Sequence, residues 1–156
     1  MNTTNTATPR HSRSETALHR AQKLLEESRP DPGAKLRSLS ARELGILGED
    51  LAAAHLQAAG MHVLHRNIRL GRGEIDVVAL DGRTLVVAEV KTRRSLVTGV
   101  PQAAVTAQKL QQLRRLTGQY LQEHSPPHAD VRIDVVAVYF DPHGTTVLEH
   151  LRGVGA

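Results

Sequence analysis

A chain of 156 residues is long enough for one domain and an extension, and its 40% hydrophobic content can supply a core. Aromatic residues are only 2%, so Leu, Val, Ile and Ala must fill that core; the lack of cysteine excludes a disulfide framework, a thiolate zinc site and a Cys nucleophile. The formal net charge of +4 lies mainly in residues 1–40, with seven Lys/Arg against four Asp/Glu, which leaves thirteen against twelve in the rest and makes overall charge a weak guide to partners. No apolar run approaches the ~18 residues of a membrane span, and no apolar h-region follows the N-terminus, so the expected setting is the cytoplasm, with no membrane partner.

Residues 1–14 are polar and aperiodic and read as disordered. Glu15 to Glu27 could form a short helix, after which Arg29-Pro30-Asp31-Pro32-Gly33 breaks the chain. Residues 1–39 are therefore expected to be a disordered or partly helical tail, and 40–156 the folded domain. Ser40 followed by Glu43 reads as a helix start. From Ala41 to Ala59 the stripe Leu44, Leu47, Gly48, Leu51, Ala52 and His55 is helical, and Gly60 suits its end.

Met61 to Ile68 reads as a first strand, Glu74 to Leu80 as a second and Arg83 to Thr92 as a third. Asp81-Gly82 is the two-residue hairpin loop between the last two. Pro101 suits the first turn of a second helix running to about Gln122, and Ser125-Pro126-Pro127 stops it. Val131 to Phe140 is almost continuously apolar, as in a strand buried on both faces. Thr145 to Leu151 forms a last edge strand. The order αβββαβ, then β, is that of an α/β fold with a mixed central sheet flanked by helices.

The hairpin carries the sharpest chemical reading. With Asp81-Gly82 as the loop, Leu80 faces Arg83, Asp76 faces Val87 and Glu74 faces Glu89. Strand alternation then puts Asp76, Glu89 and Lys91 on one face, with Asp76 and Glu89 as diagonal neighbours. Carboxylates clustered this way repel unless a cation joins them, and hard oxygen ligands favour Mg2+ or Mn2+. A lysine beside such a site fits metal-assisted phosphodiester hydrolysis. By itself Glu-x-Lys describes an ordinary solvent-facing pair, and Asp76 at this register only brings the two readings level.

The order of elements, with Asp76 on the second strand and Glu89-Val90-Lys91 on the third, resembles the restriction-endonuclease-like PD-(D/E)xK core. More narrowly, the chain resembles the YraN family of predicted endonucleases, relatives of the archaeal Holliday junction resolvases. The matching stretches are Gly48-Glu49, Arg66-Asn67, Gly73-Glu74-Ile75-Asp76, Glu89-Val90-Lys91-Thr92-Arg93, Gly99-Val100-Pro101, Lys109 and Arg132-Ile133-Asp134-Val135-Val136. They fall in order over about residues 42–140. Ala88 and Ile133 depart from the family's usual residues, a bulkier one and Phe.

The resemblance implies that Asp76 and Glu89 bind metal, that Lys91 is the catalytic lysine, and that Glu49 completes both the metal set and the catalytic set. It implies an endonuclease acting on DNA, with branched or junction DNA as the family's example. It also implies a homodimer, since two symmetric cuts need two sites. The alternative is a nucleic-acid-binding module on the same fold that does not cut.

Other residues are read more plainly. Glu74 either joins the acids or is exposed. Asp134 reads more simply as a buried hydrogen-bonding residue than as a site member. Arg72, Arg93 and Lys109 are candidates for DNA backbone contact, alongside Arg66, Arg69, Arg94 and Arg115. The nine histidines form no metal motif.

Overall fold

A computed structural model describes residues 31–94 and 105–155. The readings made for residues 1–14, for Glu15 to Glu27 and for Pro101 lie outside the described residues. The elements in order are α1 (Pro32–Ser38), α2 (Ala41–Ala58), β1 (His62–Leu70), β2 (Gly73–Asp81), β3 (Thr84–Arg93), α3 (Ala107–His124), β4 (Asp130–Phe140) and β5 (Thr146–Leu151).

The strands form one five-stranded sheet in the order β1-β2-β3-β4-β5. All neighbours are antiparallel except β3 and β4, which are parallel and joined through α3. A parallel pair needs such a crossover, and its helix must cover one sheet face. α3 does so through Leu113, Leu116 and Tyr120, which pack on Ile75, Val78, Leu85, Val87 and Ile133. On the opposite face Leu44, Ala52 and Leu56 of α2 pack on Val77, Ala79, Val86, Ala88, Val136 and Val138. β3 and β4 are thus buried on both sides, as the apolar run from Val131 to Phe140 implied.

Both ends of α2 are fixed by sequence signals. Ser40 and Glu43 form the full capping box, each side chain bonding to the other's backbone N–H. At the far end the amides of Gly60 and Met61 donate to Gln57 and Leu56 carbonyls, with Gly60 at φ 87. This is a Schellman ending, and the apolar contact that completes it comes from Leu56 and Met61 in the same core.

Two expectations need correction. The hairpin loop is Gly82-Arg83, because the ladder closes at Asp81↔Thr84. Gly82 takes φ 59 at the first central position, where a type II′ turn needs glycine. Among the described residues the second helix starts at Ala107, later than expected, with Thr106 as N-cap accepting from the Lys109 amide. The compact unit of the described residues begins at Pro32. Pro32 opens α1, where proline costs no hydrogen bond. Leu36 and Leu39 then pack against the α2-side core, and Arg94 donates to the carbonyls of both.

Gly48 sits where α2 crosses β3. A Cβ there would lie 2.1 Å from the Thr92 hydroxyl oxygen, so glycine is what lets the helix backbone sit this close to the Thr92 side chain. Gly48→Ala, which at an exposed helix position would add stability, is expected to cost about 1–3 kcal/mol in urea unfolding. Truncation tests the boundary. A chain starting at Ser40 should melt roughly 5–10 °C below one starting at Pro32, because it loses the burial of Leu36 and Leu39.

Candidate active site

The β2–β3 ladder runs from Asp81↔Thr84 to Val77↔Ala88 and stops. One more regular pair would set Asp76 opposite Glu89. Instead the Asp76 carboxylate turns toward β3, and its Oδ2 accepts the Val90 amide at 2.7 Å. A side chain thus takes the place of a backbone carbonyl and satisfies an amide that the parting strands would leave unpaired. The cause lies in the neighbouring strand as well. Asn67 of β1 has φ 51, between the pairs Arg66↔Val77 and Ile68↔Ile75. Across this kink β2 changes faces: Val77 packs on the α2 side and Ile75 on the α3 side.

The same asparagine holds Glu49. Asn67 Nδ2 donates to Glu49 Oε2 at 2.9 Å. Glu49 comes from α2, one residue after the close Gly48–Thr92 crossing.

Glu89 follows Leu85 and Val87 on the α3 face and is buried, at 4% exposure. Its Oε1 receives Lys91 Nζ at 2.7 Å and Lys109 Nζ, from the first turn of α3, at 3.1 Å. Its Oε2 is buried with no hydrogen-bond partner among the described residues. An unpartnered buried carboxylate oxygen is costly, by about 1–3 kcal/mol or more. Burial, the Glu89 charge and, more weakly, the Glu49 charge push the Asp76 carboxyl up to about 6, against the Val90 amide and Lys109, which favour its ionised form. Beside these groups a cleft of about 470 Å³ is lined by Arg69, Arg72, Glu74, Asp76, Lys109 and Gln112.

The structure therefore gathers Asp76, Glu89, Lys91, Lys109 and Arg72, with Glu49 close enough to act on Asp76. Glu74 joins the cleft wall and pairs with Arg69 at 3.3 Å. Arg93 does not line the cleft; its guanidinium donates to the Thr92 carbonyl. Arg66 pairs with Asp50, and Arg94 is used to hold α1. Gln112 was missed by sequence reading, although it stands one turn beyond Lys109 on the same helix face. Among the described residues no three of His, Cys, Asp and Glu lie close enough to hold a metal ion by themselves. Magnesium needs no such cage, since it is commonly held by one or two carboxylates with waters and phosphate oxygens. The free Glu89 oxygen and the repelling Asp76 carboxyl fit that donor set.

Asp134 has a different part. Its buried carboxylate accepts from Arg132, His150 and the Gly153 amide, which saturates both oxygens and ties the C-terminal segment to β4. Burial alone would raise its pKa, but these donors hold it below the usual carboxylate value. It is the buried hydrogen-bonding residue that the apolar strand implied.

A five-stranded mixed sheet between helices, opened at Asp76 and carrying Glu89 and Lys91 on its next strand, is compatible with a restriction-endonuclease-like core. Residues 48–138 match the family described as Uncharacterised protein family UPF0102, and the chain belongs to that family. A UPF0102 protein of Arthrobacter sp. (strain FB24) is 51% identical over 112 residues, 72% of this chain and 95% of the relative. One from Streptomyces coelicolor is 53% identical over 113 residues, 71% of this chain and 87% of the relative. One from Beutenbergia cavernae is 52% identical over 112 residues, 72% of this chain and 95% of the relative. Among the described residues no helix is long and apolar enough to cross a membrane.

The raised Asp76 pKa has a stability consequence. An acid whose folded pKa exceeds its unfolded one favours the folded state at low pH and loses that contribution as pH rises through the unfolded value, 3.8, toward about 6. Asp76→Asn keeps an oxygen for the Val90 amide and removes the charge. In EDTA it is expected to be more stable than wild type at pH 8 by about 1–3 kcal/mol, with the difference shrinking toward pH 4. Urea unfolding at the two pH values measures it.

Proposed function

We propose that the protein is a divalent-metal-dependent endodeoxyribonuclease, cutting phosphodiester bonds in DNA with Asp76, Glu89, Lys91 and Glu49. The observation that carries this reading is Glu89: a buried carboxylate with one oxygen on two lysines and the other without a hydrogen-bond partner among the described residues, next to an acid whose ionisation burial and the Glu89 charge disfavour. A structural ion pair would not need the free oxygen or the adjacent acid.

Asp76 and Glu89 are the residues that would hold Mg2+ or Mn2+, and Glu49, fixed by Asn67, would order water at its edge. The metal, when bound, supplies polarisation of the phosphate and a lowered pKa for bound water. Lys91 stands beside Glu89 to orient the attacking water or to stabilise charge developing on the phosphate. Arg69, Arg72 and Lys109 line the cleft as point charges for the DNA backbone. The resemblance to resolvases favours branched DNA and a dimer carrying two such sites.

The test is a cleavage panel of duplex, flap and four-way junction with magnesium, manganese or EDTA. Asp76→Asn should abolish metal-dependent cutting while the protein stays folded. Lys91→Ala should lower the rate about 10²–10³-fold yet keep magnesium binding in calorimetry. DNA binding should persist in both variants. Binding without cutting in wild type, with either metal and on every DNA form, would transfer the protein to the non-catalytic binding class. Undiminished cutting by Asp76→Asn would mean that the metal site lies elsewhere.

A further inference from the structure

Lys109 is badly placed for its own helix. It is the third residue of α3, whose first turn holds no acid, so the helix dipole opposes its charge. Its side chain is largely covered and reaches across to β3, where its Nζ lies 3.1 Å from Glu89 Oε1. Lys91 Nζ already occupies that oxygen at 2.7 Å. Two ammonium groups therefore crowd one carboxylate oxygen while the other oxygen stays buried and empty-handed.

The charges explain it. Glu49, Asp76 and Glu89 against Lys91 and Lys109 leave one net negative charge. Without Lys109 the remaining groups carry two, matched to a single divalent ion. We propose that Lys109 is the counter-ion of the metal-free site: it holds Glu89 until a divalent cation binds, is displaced by that cation, and then grips a DNA phosphate in the cleft beside Arg69 and Arg72. The inference rests on the metal-dependent reading of the site and adds a positioning residue to it. Chemistry permits the exchange. Lysine is a point charge on a flexible four-carbon stem, able to leave one oxygen for another without moving the backbone. The cleft that Lys109 already lines is where it would go. Metal and DNA then favour each other, because the cation frees Lys109 for a phosphate and a phosphate draws Lys109 off Glu89.

Calorimetric titration of Mg2+ and of Mn2+, without DNA, measures the first half. Lys109→Met is expected to bind either metal about tenfold more tightly than wild type. Lys109→Gln should show the same direction, and it covers the case in which the methionine variant fails to fold. Arg115→Met removes the same charge from an exposed position on the same helix and should shift affinity less than about twofold, since exposed charges at a distance are screened. The second half is read from DNA binding with Ca2+ or EDTA across a salt series. With calcium, the slope of log affinity against log salt should be shallower in Lys109→Met by about 0.9, one phosphate contact; in EDTA the two proteins should agree.

Metal binding by wild type that is unchanged or weakened in both Lys109 variants overturns this inference and leaves the nuclease reading standing. Equal tightening by Arg115→Met overturns it too, since general charge would then suffice. Equal salt slopes in calcium remove the phosphate contact. Failure of wild type and all variants to bind either metal removes the proposed function itself. Binding by the Lys109 variants alone is the strongest support.

Discussion

Between Val77 and Asp76 the second strand stops pairing with the third, and the amide that this parting exposes on Val90 is met by the Asp76 carboxylate. Everything in the cleft follows from that substitution. Were the ladder to continue, Asp76 would lie over Glu89 as one more cross-strand pair, with like charges directly opposed. Because the strands part, the two acids converge on a wedge that opens toward α3. The price is a backbone kink at Asn67, and the kink is put to use: the asparagine side chain anchors Glu49 from the opposite layer. A single irregularity thus links α2, β1, β2 and β3 around one point.

Depth in the sheet does the rest. Glu89 is buried because β3 is a central strand with a helix on either side, and burial turns a surface-type Glu-x-Lys pair into a site with a cost attached. In bulk water Lys91 and Glu89 would contribute little to each other. Removed from water, the carboxylate has to be compensated, and the compensation comes from two lysines on different elements. The strain of the arrangement appears in Asp76, whose ionisation is disfavoured by burial and by its neighbours.

Much of this was legible in the sequence because sheet geometry is a parity argument. The hairpin loop sits one residue further along than Asp81-Gly82, which displaces the pairing by two positions. A displacement of one would have sent Asp76 and Glu89 to opposite faces; two preserves the face. Helix α2 was legible at both ends because its capping box and glycine ending are local signals. The departure of β2 from β3 was not, since nothing in Glu74-Ile75-Asp76 marks a strand about to leave its partner; that depends on Asn67 in another strand. Lys109 on Glu89 depends on how α3 docks, which no periodicity encodes. Helix α1 was hidden because Pro32-Gly33 reads as a break, although proline is equally at home as the first helical residue. The buried network of Asp134 with Arg132 and His150 showed only as one acid in an apolar run.

The way the two lysines reach Glu89 also orders the events of folding. Lys91 is two residues away on the same strand, and Asp76 reaches Val90 across a hairpin closed by a two-residue turn, so these contacts need only local chain closure. Lys109 arrives only when α3 has docked on β3, a less local step than closing the hairpin. On a growing or refolding chain the acidic half of the site is assembled first. Until α3 seats, that face of β3 is open to water, so Glu89 is desolvated in the same step that brings Lys109 to it.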